Sequence, residues 1–180
     1  MKKLLVAAVL ACAPGLVCAD EAARSDLFFG PSYVHVEGES LYGGEVALSR
    51  YFGASFGVVL DASYHVGSNG GLDLSELNLL AGPRYAFNRS GSPTFFVQAL
   101  FGLRRDSSSF KVLDVSISEN QSRFGIAAGG GVDIRLSPKW ALRLAGDYVW
   151  SKSEGESVDG FRASAGAVYR SGARGASKQP

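Results

Sequence analysis

The sequence contains little cysteine, and both copies are confined to one end. Cys12 and Cys18 lie within the first 19 residues. This segment has a basic start, an apolar stretch and a small-residue site that ends at Ala19, an order typical of a cleaved secretory signal. Removal of residues 1–19 would leave no thiol, which excludes a disulfide framework and a cysteine-based metal site in the remaining chain.

Neither sign of charge is in excess, and long apolar runs are missing. Loss of Lys2 and Lys3 from the 18 basic residues leaves 16, against 17 acidic residues. This balance gives no electrostatic reason to expect nucleic-acid binding. After Asp20 no apolar run approaches the roughly 20 residues that a transmembrane helix needs. If the remaining chain enters a membrane, it must form a closed barrel, because only helices and closed sheets satisfy every backbone amide in lipid.

The segment from Trp140 to Trp150 shows the pattern on which the fold prediction depends. Its even positions are almost all apolar or aromatic, whereas its odd positions include Arg143 and Asp147. A strict period of two indicates a β-strand with two unlike faces. Aromatic residues at both ends of an apolar stripe about ten residues long are typical of a strand that crosses a bilayer.

Eight segments of this kind follow one another, although the first is ambiguous as to which face is apolar. We therefore predict an all-β fold, an eight-stranded antiparallel up-and-down transmembrane β-barrel. The predicted strands cover residues 27–37, 43–52, 56–66, 77–87, 95–104, 123–136, 140–150 and 161–170.

The connections between these strands alternate in length. Tight links occur at 52–55, 88–93 and 137–139, and longer ones at 38–41, 67–73, 105–122 and 152–157. Outer-membrane barrels have short periplasmic turns and longer external loops, so both termini are predicted to be periplasmic. The predicted parts of the chain are a cleaved signal (1–19), the barrel (20–170) and a short periplasmic tail (171–180).

Charged residues share one face in nearly every predicted strand. A Lys or Arg facing lipid at mid-bilayer costs roughly 2–4 kcal/mol, so several together would exceed the about 5–15 kcal/mol of net stability of a typical domain. The charges are therefore predicted to point into the lumen, where opposite charges can pair. This structural lumen charge network consists of Glu45, Asp61, His65, Arg84, Asp133, Arg143, Asp147 and Arg162.

Two residues depart from the pattern. Arg50 lies on the apolar face of its strand and fits only at the membrane interface. Pro83 lies inside the fourth strand and indicates a bulge or an irregular pair, because proline donates no hydrogen bond to a ladder.

No catalytic, cofactor-binding or metal-binding residues are predicted. Asp61, Ser63 and His65 share a face, but side chains two positions apart in a strand lie more than about 6 Å apart, so His65 is assigned to the lumen network. Gly129–Gly131 does not indicate a phosphate loop, because Val132 continues the strand and starts no helix. Small residues there are expected to permit curvature and to leave room for a neighbouring arginine.

The segment 105–122 has two interpretations. Strands five and six could extend beyond the membrane as a hairpin, or the segment could offer an exposed strand edge to a surface partner, since unpaired strands invite pairing. An eight-stranded barrel has an interior just filled by side chains. The charged lumen is therefore expected to be largely closed, with a small-solute channel as the alternative.

Five segments carry a family resemblance: Gly82–Tyr85, Phe95–Gly102, Ala128–Asp133, Arg143–Tyr148 and Phe161–Arg170. They resemble the outer membrane protein beta-barrel family, the small barrels related to OmpA and OmpX. This resemblance implies a structural, surface-loop or adhesion-type role in a Gram-negative outer membrane, with no enzyme activity and no cofactor. The expected partners are outer-membrane lipid and lipopolysaccharide and the barrel assembly machinery. The exposed edge at 105–122 would add a surface partner, and the charge balance gives no reason to add nucleic acid. A lipid-A-modifying enzyme and a lipocalin-like carrier with inverted faces are the other hypotheses.

Overall fold

The chain forms eight β-strands in sequence order. The structure is a computed structural model that describes residues 24–36, 38–69, 72–89, 91–112, 115–153 and 156–171. The predicted signal (1–19) lies outside these residues and stays a prediction. Of the predicted tail (171–180), Ser171 is instead the last residue of the final strand, and the rest lies outside the described residues and stays a prediction. The strands are β1 (Arg24–Val36), β2 (Glu39–Phe52), β3 (Phe56–Asn69), β4 (Leu72–Phe87), β5 (Thr94–Val112), β6 (Val115–Arg135), β7 (Trp140–Ser153) and β8 (Glu156–Ser171).

These strands close into a barrel. Each pairs antiparallel with the next, and β8 pairs with β1 from Ser25↔Ser171 to Val36↔Gly160. Closure pairs both edges of every strand in the wall, as lipid requires. The predicted eight-stranded antiparallel barrel is confirmed.

Over the residues that the structure describes, no helix is both long enough and apolar enough to cross a membrane.

The strands extend further than predicted at one end of the barrel. The four longer connections were expected to be loops, but most of their residues are paired strand: β1 ends at Val36 and β2 begins at Glu39, while β5 ends at Val112 and β6 begins at Val115. Backbone pairing between strands does not require an apolar face. The polar sequence thus marks the end of the apolar belt and not the end of the sheet. At the opposite end, the short links predicted at 52–55, 88–93 and 137–139 are observed.

Apolar side chains cover the outside of the barrel, and charged ones lie inside. Leu144 is 46% exposed, whereas Arg143 and Asp147 on the same strand are 1% and 2% exposed. In β1, whose faces were ambiguous, Asp26 and Phe28 point inward and their neighbours point outward. A lipocalin-like carrier needs the opposite arrangement, so the charged lumen argues against that hypothesis.

Aromatic rings mark the two ends of the apolar belt. Near the tight turns, the Trp140 ring lies 6.3 Å from that of Phe29 and 5.2 Å from that of Tyr169, both in edge-on geometry. Tyr148 and Trp150 lie towards the other end of β7. Such aromatic girdles belong at membrane–water interfaces. Arg50 is half-buried and lies close to the turn after Phe52, as an interface residue should.

Two prolines interrupt the ladders without shifting the register. The β4–β5 pairing runs to Ala81↔Phe101 and resumes at Arg84↔Gln98, so Pro83 leaves an irregular stretch and no bulge. Pro31 causes the same interruption between β1 and β8. Each proline lacks the N–H that the neighbouring strand would accept.

Gly129 and Gly131 allow close approach between β6 and β7. A Cβ at Gly129 would lie 2.1 Å from the Gly146 carbonyl oxygen, and one at Gly131 would lie 2.8 Å from the Phe96 ring. We expected these glycines to leave room for a neighbouring arginine, and that expectation was wrong. The backbone of β7 and an aromatic ring occupy the space, because the two strands approach too closely for any side chain there.

Candidate functional site

Arg162 crosses the lumen near the middle of the barrel. From β8 it donates to Asp61 on β3 at 2.8 Å and to Asp147 on β7 at 2.8 and 3.2 Å. Glu45 Oε2 on β2 lies 3.9 Å from its Nε. We call Glu45, Asp61, Asp147 and Arg162 the acid layer. All four are at most 5% exposed.

A second group of charges lies closer to the tight turns. Arg143 donates to both carboxylate oxygens of Asp133, at 2.7 and 2.9 Å, and Arg170 donates to the same carboxylate at 3.1 Å. Arg84 lies next to them across the ring of Phe96: the guanidinium carbons of Arg84 and Arg143 are 4.3 and 4.7 Å from its centroid. We call Arg84, Asp133, Arg143 and Arg170 the arginine layer.

An uncharged side chain joins the two layers. The Gln98 carbonyl accepts from Arg84 Nε at 3.0 Å, and its amide nitrogen donates to Asp147 Oδ1 at 2.8 Å. Sequence reasoning placed Gln98 on the inward face but omitted it, because the network was defined by charge. Its inward position in the middle of β5 was the available signal.

His65 is buried, but it is not close to a catalytic arrangement. Its Nε2 lies 3.0 Å from Ser32 Oγ on β1. Ser63 instead accepts from Asn78 at 3.2 Å and from Arg162 at 3.4 Å. Asp61 and Ser63 therefore share Arg162, whereas His65 bonds to Ser32. All three lie inside the barrel and away from lipid.

Two further buried ion pairs were not predicted. Arg104 donates to Glu76 at 2.6 Å, and Arg89 donates to both oxygens of Asp26 at 3.0 and 3.1 Å. Glu76 has the same parity as Asn78 but precedes the predicted start of its strand. Asp26 precedes the predicted start of the first strand, and Arg89 belongs to a turn, so strand periodicity could not identify that pair.

Buried side chains pack inside the barrel towards both of its ends. At the tight-turn end, the Arg89 guanidinium carbon lies 3.4 Å from the centroid of the buried Tyr51 ring. The backbone carbonyl of Arg89 also accepts from Arg135 at 3.1 Å, which fixes the turn. At the other end, buried side chains from four strands pack together: Val34, Val36, Leu41, Val149 and Val158.

The β5–β6 hairpin is the most extended part of the barrel. β5 has 19 residues and β6 has 21, compared with 13 in β1. The two strands pair as far as Val112↔Val115, which confirms the hairpin interpretation. β6 pairs with β7 only from Phe124 onward. Among the described residues, the backbone edge of 115–122 therefore has β5 on one side and no paired strand on the other.

Over the part of the chain that the structure describes, no group of three or more His, Cys, Asp or Glu side chains could hold a metal ion.

Comparisons with known proteins agree with this geometry. The family model for the outer membrane protein beta-barrel domain matches residues 4–170. No curated protein sequence matches.

Several solved structures are similar over most of the chain. Neisserial surface protein A is 13% identical with a TM-score of 0.65, covering 82% of this chain and 96% of its own. Ail of Yersinia pestis, solved with the heparin analogue sucrose octasulfate, is 18% identical with a TM-score of 0.56, covering 83% and 97%. OprG of Pseudomonas aeruginosa is 13% identical with a TM-score of 0.58, covering 83% and 96%. At these identities the likeness shows the fold alone.

Proposed function

Because the chain belongs to the outer membrane protein beta-barrel family, we propose that it is a closed outer-membrane barrel that acts through its surface. The observation that carries this proposal is Arg162, which spans the lumen from β8 to Asp61 on β3. This bond crosses the lumen, and the interior of an eight-stranded barrel is just filled by side chains, which together argue against a continuous aqueous path. The barrel then acts as a rigid support for its extended β5–β6 hairpin, with a structural or adhesion-type role at the cell surface.

The charge network makes the closure stable. Removing one partner from a buried ion pair costs about 3–5 kcal/mol, and Arg162 has two short partners, Asp61 and Asp147. The next layer is tied to it through Gln98. Opening a pore would therefore require several buried pairs to break together. This argues against a small-solute channel as the principal function.

The surface role is assigned to the β5–β6 hairpin. Its edge at 115–122 offers backbone N–H and C=O groups beyond the end of β7 pairing. Extended segments of partner proteins can add to such an edge, with main-chain hydrogen bonds supplying affinity. The proposed surface partner is therefore a protein with an exposed strand or an extended peptide.

The orientation follows from the connections. The tight turns at 53–55, 88–93 and 136–139 lie at the end opposite the hairpin, and short turns are periplasmic in this class of barrel. We place both termini in the periplasm and the hairpin outside. A cleaved signal at 1–19 and insertion by the barrel assembly machinery complete the proposed path, with outer-membrane lipid and lipopolysaccharide around the wall.

A lipid-A-modifying activity has little support in this geometry. Ser63 and His65 lie in the lumen and bond to different partners, whereas a lipid substrate would approach from outside. The proposal therefore includes no catalytic residue.

Conductance tests the closed lumen. The refolded barrel in planar bilayers is expected to give no discrete current steps, while Arg162→Ala is expected to give brief openings that show the assay is sensitive. Frequent steps from the wild-type barrel at neutral pH would contradict the closed-lumen proposal.

Partner binding tests the surface role. A variant in which residues 107–120 are replaced by an Asn-Gly turn should fold, as judged by heat-modifiable gel mobility, and should lose adhesion of expressing cells. The matched control keeps the hairpin but shuffles the order of residues 116–121, and it should still bind if main-chain pairing is the main contact. Unchanged adhesion after the deletion would contradict the assignment.

A further inference from the structure

The buried charges are unevenly distributed along the barrel axis. The acid layer holds three carboxylates and one guanidinium, whereas the arginine layer holds three guanidiniums and one carboxylate, Asp133. Along β7, Arg143 lies nearer the tight turns than Asp147 does. Excess positive charge is therefore concentrated towards the tight-turn end.

The arginine layer also contains donors that are not used. Arg143 Nη1 and Arg170 Nε are buried and have no hydrogen-bond partner within the described residues. The two residues are only 1% and 8% exposed, so bulk water does not replace the missing partners. Buried unsatisfied N–H groups are rare in native proteins and call for an explanation.

Arg84 has no carboxylate partner of its own, whereas Arg143 and Arg170 share Asp133, so the layer has two positive charges in excess. Its guanidinium donates to Gln98 and Ser49, both of which are neutral. No carboxylate lies within ion-pairing distance of it in the described part of the chain. The Phe96 ring, which both guanidiniums approach, stabilises them by cation–π contact but supplies no net charge.

The excess cannot be relieved by loss of a proton, because a guanidinium is not deprotonated in proteins. Carboxylates can take up a proton, so the acid layer has a route that the arginine layer lacks. The acid layer carries an equal and opposite excess, but it reaches the arginine layer only through the neutral Gln98. It therefore supplies no acceptor to the unused donors, which a bound counter-ion would do. The partner must supply negative charge and accept N–H donors.

From these observations we propose that the arginine layer binds one small inorganic anion of the halide class. Arg143 Nη1 and Arg170 Nε are its principal donors, and Arg84 contributes charge. The Phe96 ring lies against the guanidiniums of Arg84 and Arg143 and is 3% exposed. This close packing fits a single-atom anion better than a tetrahedral oxyanion such as phosphate.

The test compares urea unfolding of the detergent-refolded barrel in sodium chloride and in sodium gluconate at equal ionic strength. Trp140 and Trp150 provide the fluorescence signal. At chloride ten times above its dissociation constant, the unfolded-to-folded ratio should fall about elevenfold. Equal unfolding midpoints in the two salts would overturn the proposal.

Two variants localise the effect. Ala141→Asp places a carboxylate two residues before Arg143 and beside Val168 on the neighbouring strand, so it should remove the chloride dependence. Glu45→Gln alters the acid layer and should keep that dependence. The same chloride response in both variants would contradict the assigned site.

A third measurement needs no variant. Crystals of the wild-type barrel grown in sodium bromide should show an anomalous peak beside the Arg143 and Arg170 guanidiniums. A crystal with bromide peaks elsewhere and none in the arginine layer would also overturn the proposal.

Discussion

Gln98 and Asp147 join two layers of opposite excess charge. The amide nitrogen of Gln98 lies 2.8 Å from Asp147 Oδ1, while its carbonyl oxygen accepts from Arg84 at 3.0 Å. An amide can donate and accept at once without adding a charge. The barrel interior is therefore one connected network, in which a neutral residue holds a central position.

Gln98→Leu tests this connection. The substitution fits the space approximately but leaves Asp147 and Arg84 each short of a partner, so we expect a loss of about 1–3 kcal/mol for each buried group left unsatisfied. Urea unfolding measures the loss. Val97→Leu on the outward face of the same strand is the control and should change little. Equal stability of Gln98→Leu and the wild type would show that the bridge contributes nothing.

Arg162→Ala should be the most damaging change in the lumen. It leaves Glu45, Asp61 and Asp147 close together without their guanidinium, so the expected cost is about 3–5 kcal/mol. Arg162→Lys keeps the positive charge but loses the forked geometry of the guanidinium. Its stability should therefore lie between those of the wild type and Arg162→Ala. The comparison uses unfolding midpoints at neutral pH. A stability of Arg162→Ala within error of the wild type would contradict the assignment.

The apolar belt makes a position-dependent prediction. Leu60→Arg places a guanidinium on the outward face of β3 near the middle of the belt and should cost about 2–4 kcal/mol in bilayers. Val66→Arg, on the same face near the end of the belt, should cost at most about 1 kcal/mol. Refolding yield and unfolding in lipid vesicles measure both. Equal effects at the two sites would show that lipid does not cover this face.

The glycines of β6 predict a steric effect. Gly129→Ala should lower folded yield, because its Cβ would lie 2.1 Å from the Gly146 carbonyl oxygen and the β6–β7 pairing would have to shift. Gly44→Ala is the matched control, since its Cβ meets no atom closer than 3.8 Å. Heat-modifiable gel mobility reports the folded fraction. The prediction is wrong if the two variants fold equally well.

The wall of the barrel could be predicted because apolar and polar residues alternate within the sequence of each strand. Arg143 and Asp147 share a face of β7 by parity alone, and the cost of charge in lipid decides that the face is inward. The same reasoning placed Arg84 and Arg162 inside without any knowledge of their neighbours. Strand identity and face therefore follow from one-dimensional information.

Contacts across the lumen could not be predicted in this way. Arg162 reaches Asp61 from a strand that is not adjacent to β3, and this depends on the relative stagger of all the strands between them. Arg89 reaches Asp26 from a turn, where no periodicity applies. The ends of the long strands were missed for a related reason: beyond the lipid, pairing continues without an apolar face to reveal it.

Because β5 and β6 are longer than the other strands, one side of the barrel extends further along its axis than the opposite side. A bilayer lets the barrel drift in a plane and spin about one axis, so the ribbon formed by β5 and β6 sweeps a circle above the wall. A neighbour in the same membrane meets that ribbon only at certain rotational angles. In the orientation proposed above, a second cell approaching from outside would meet it at every angle, so the proposed surface role fits encounters between cells better than clustering within one envelope.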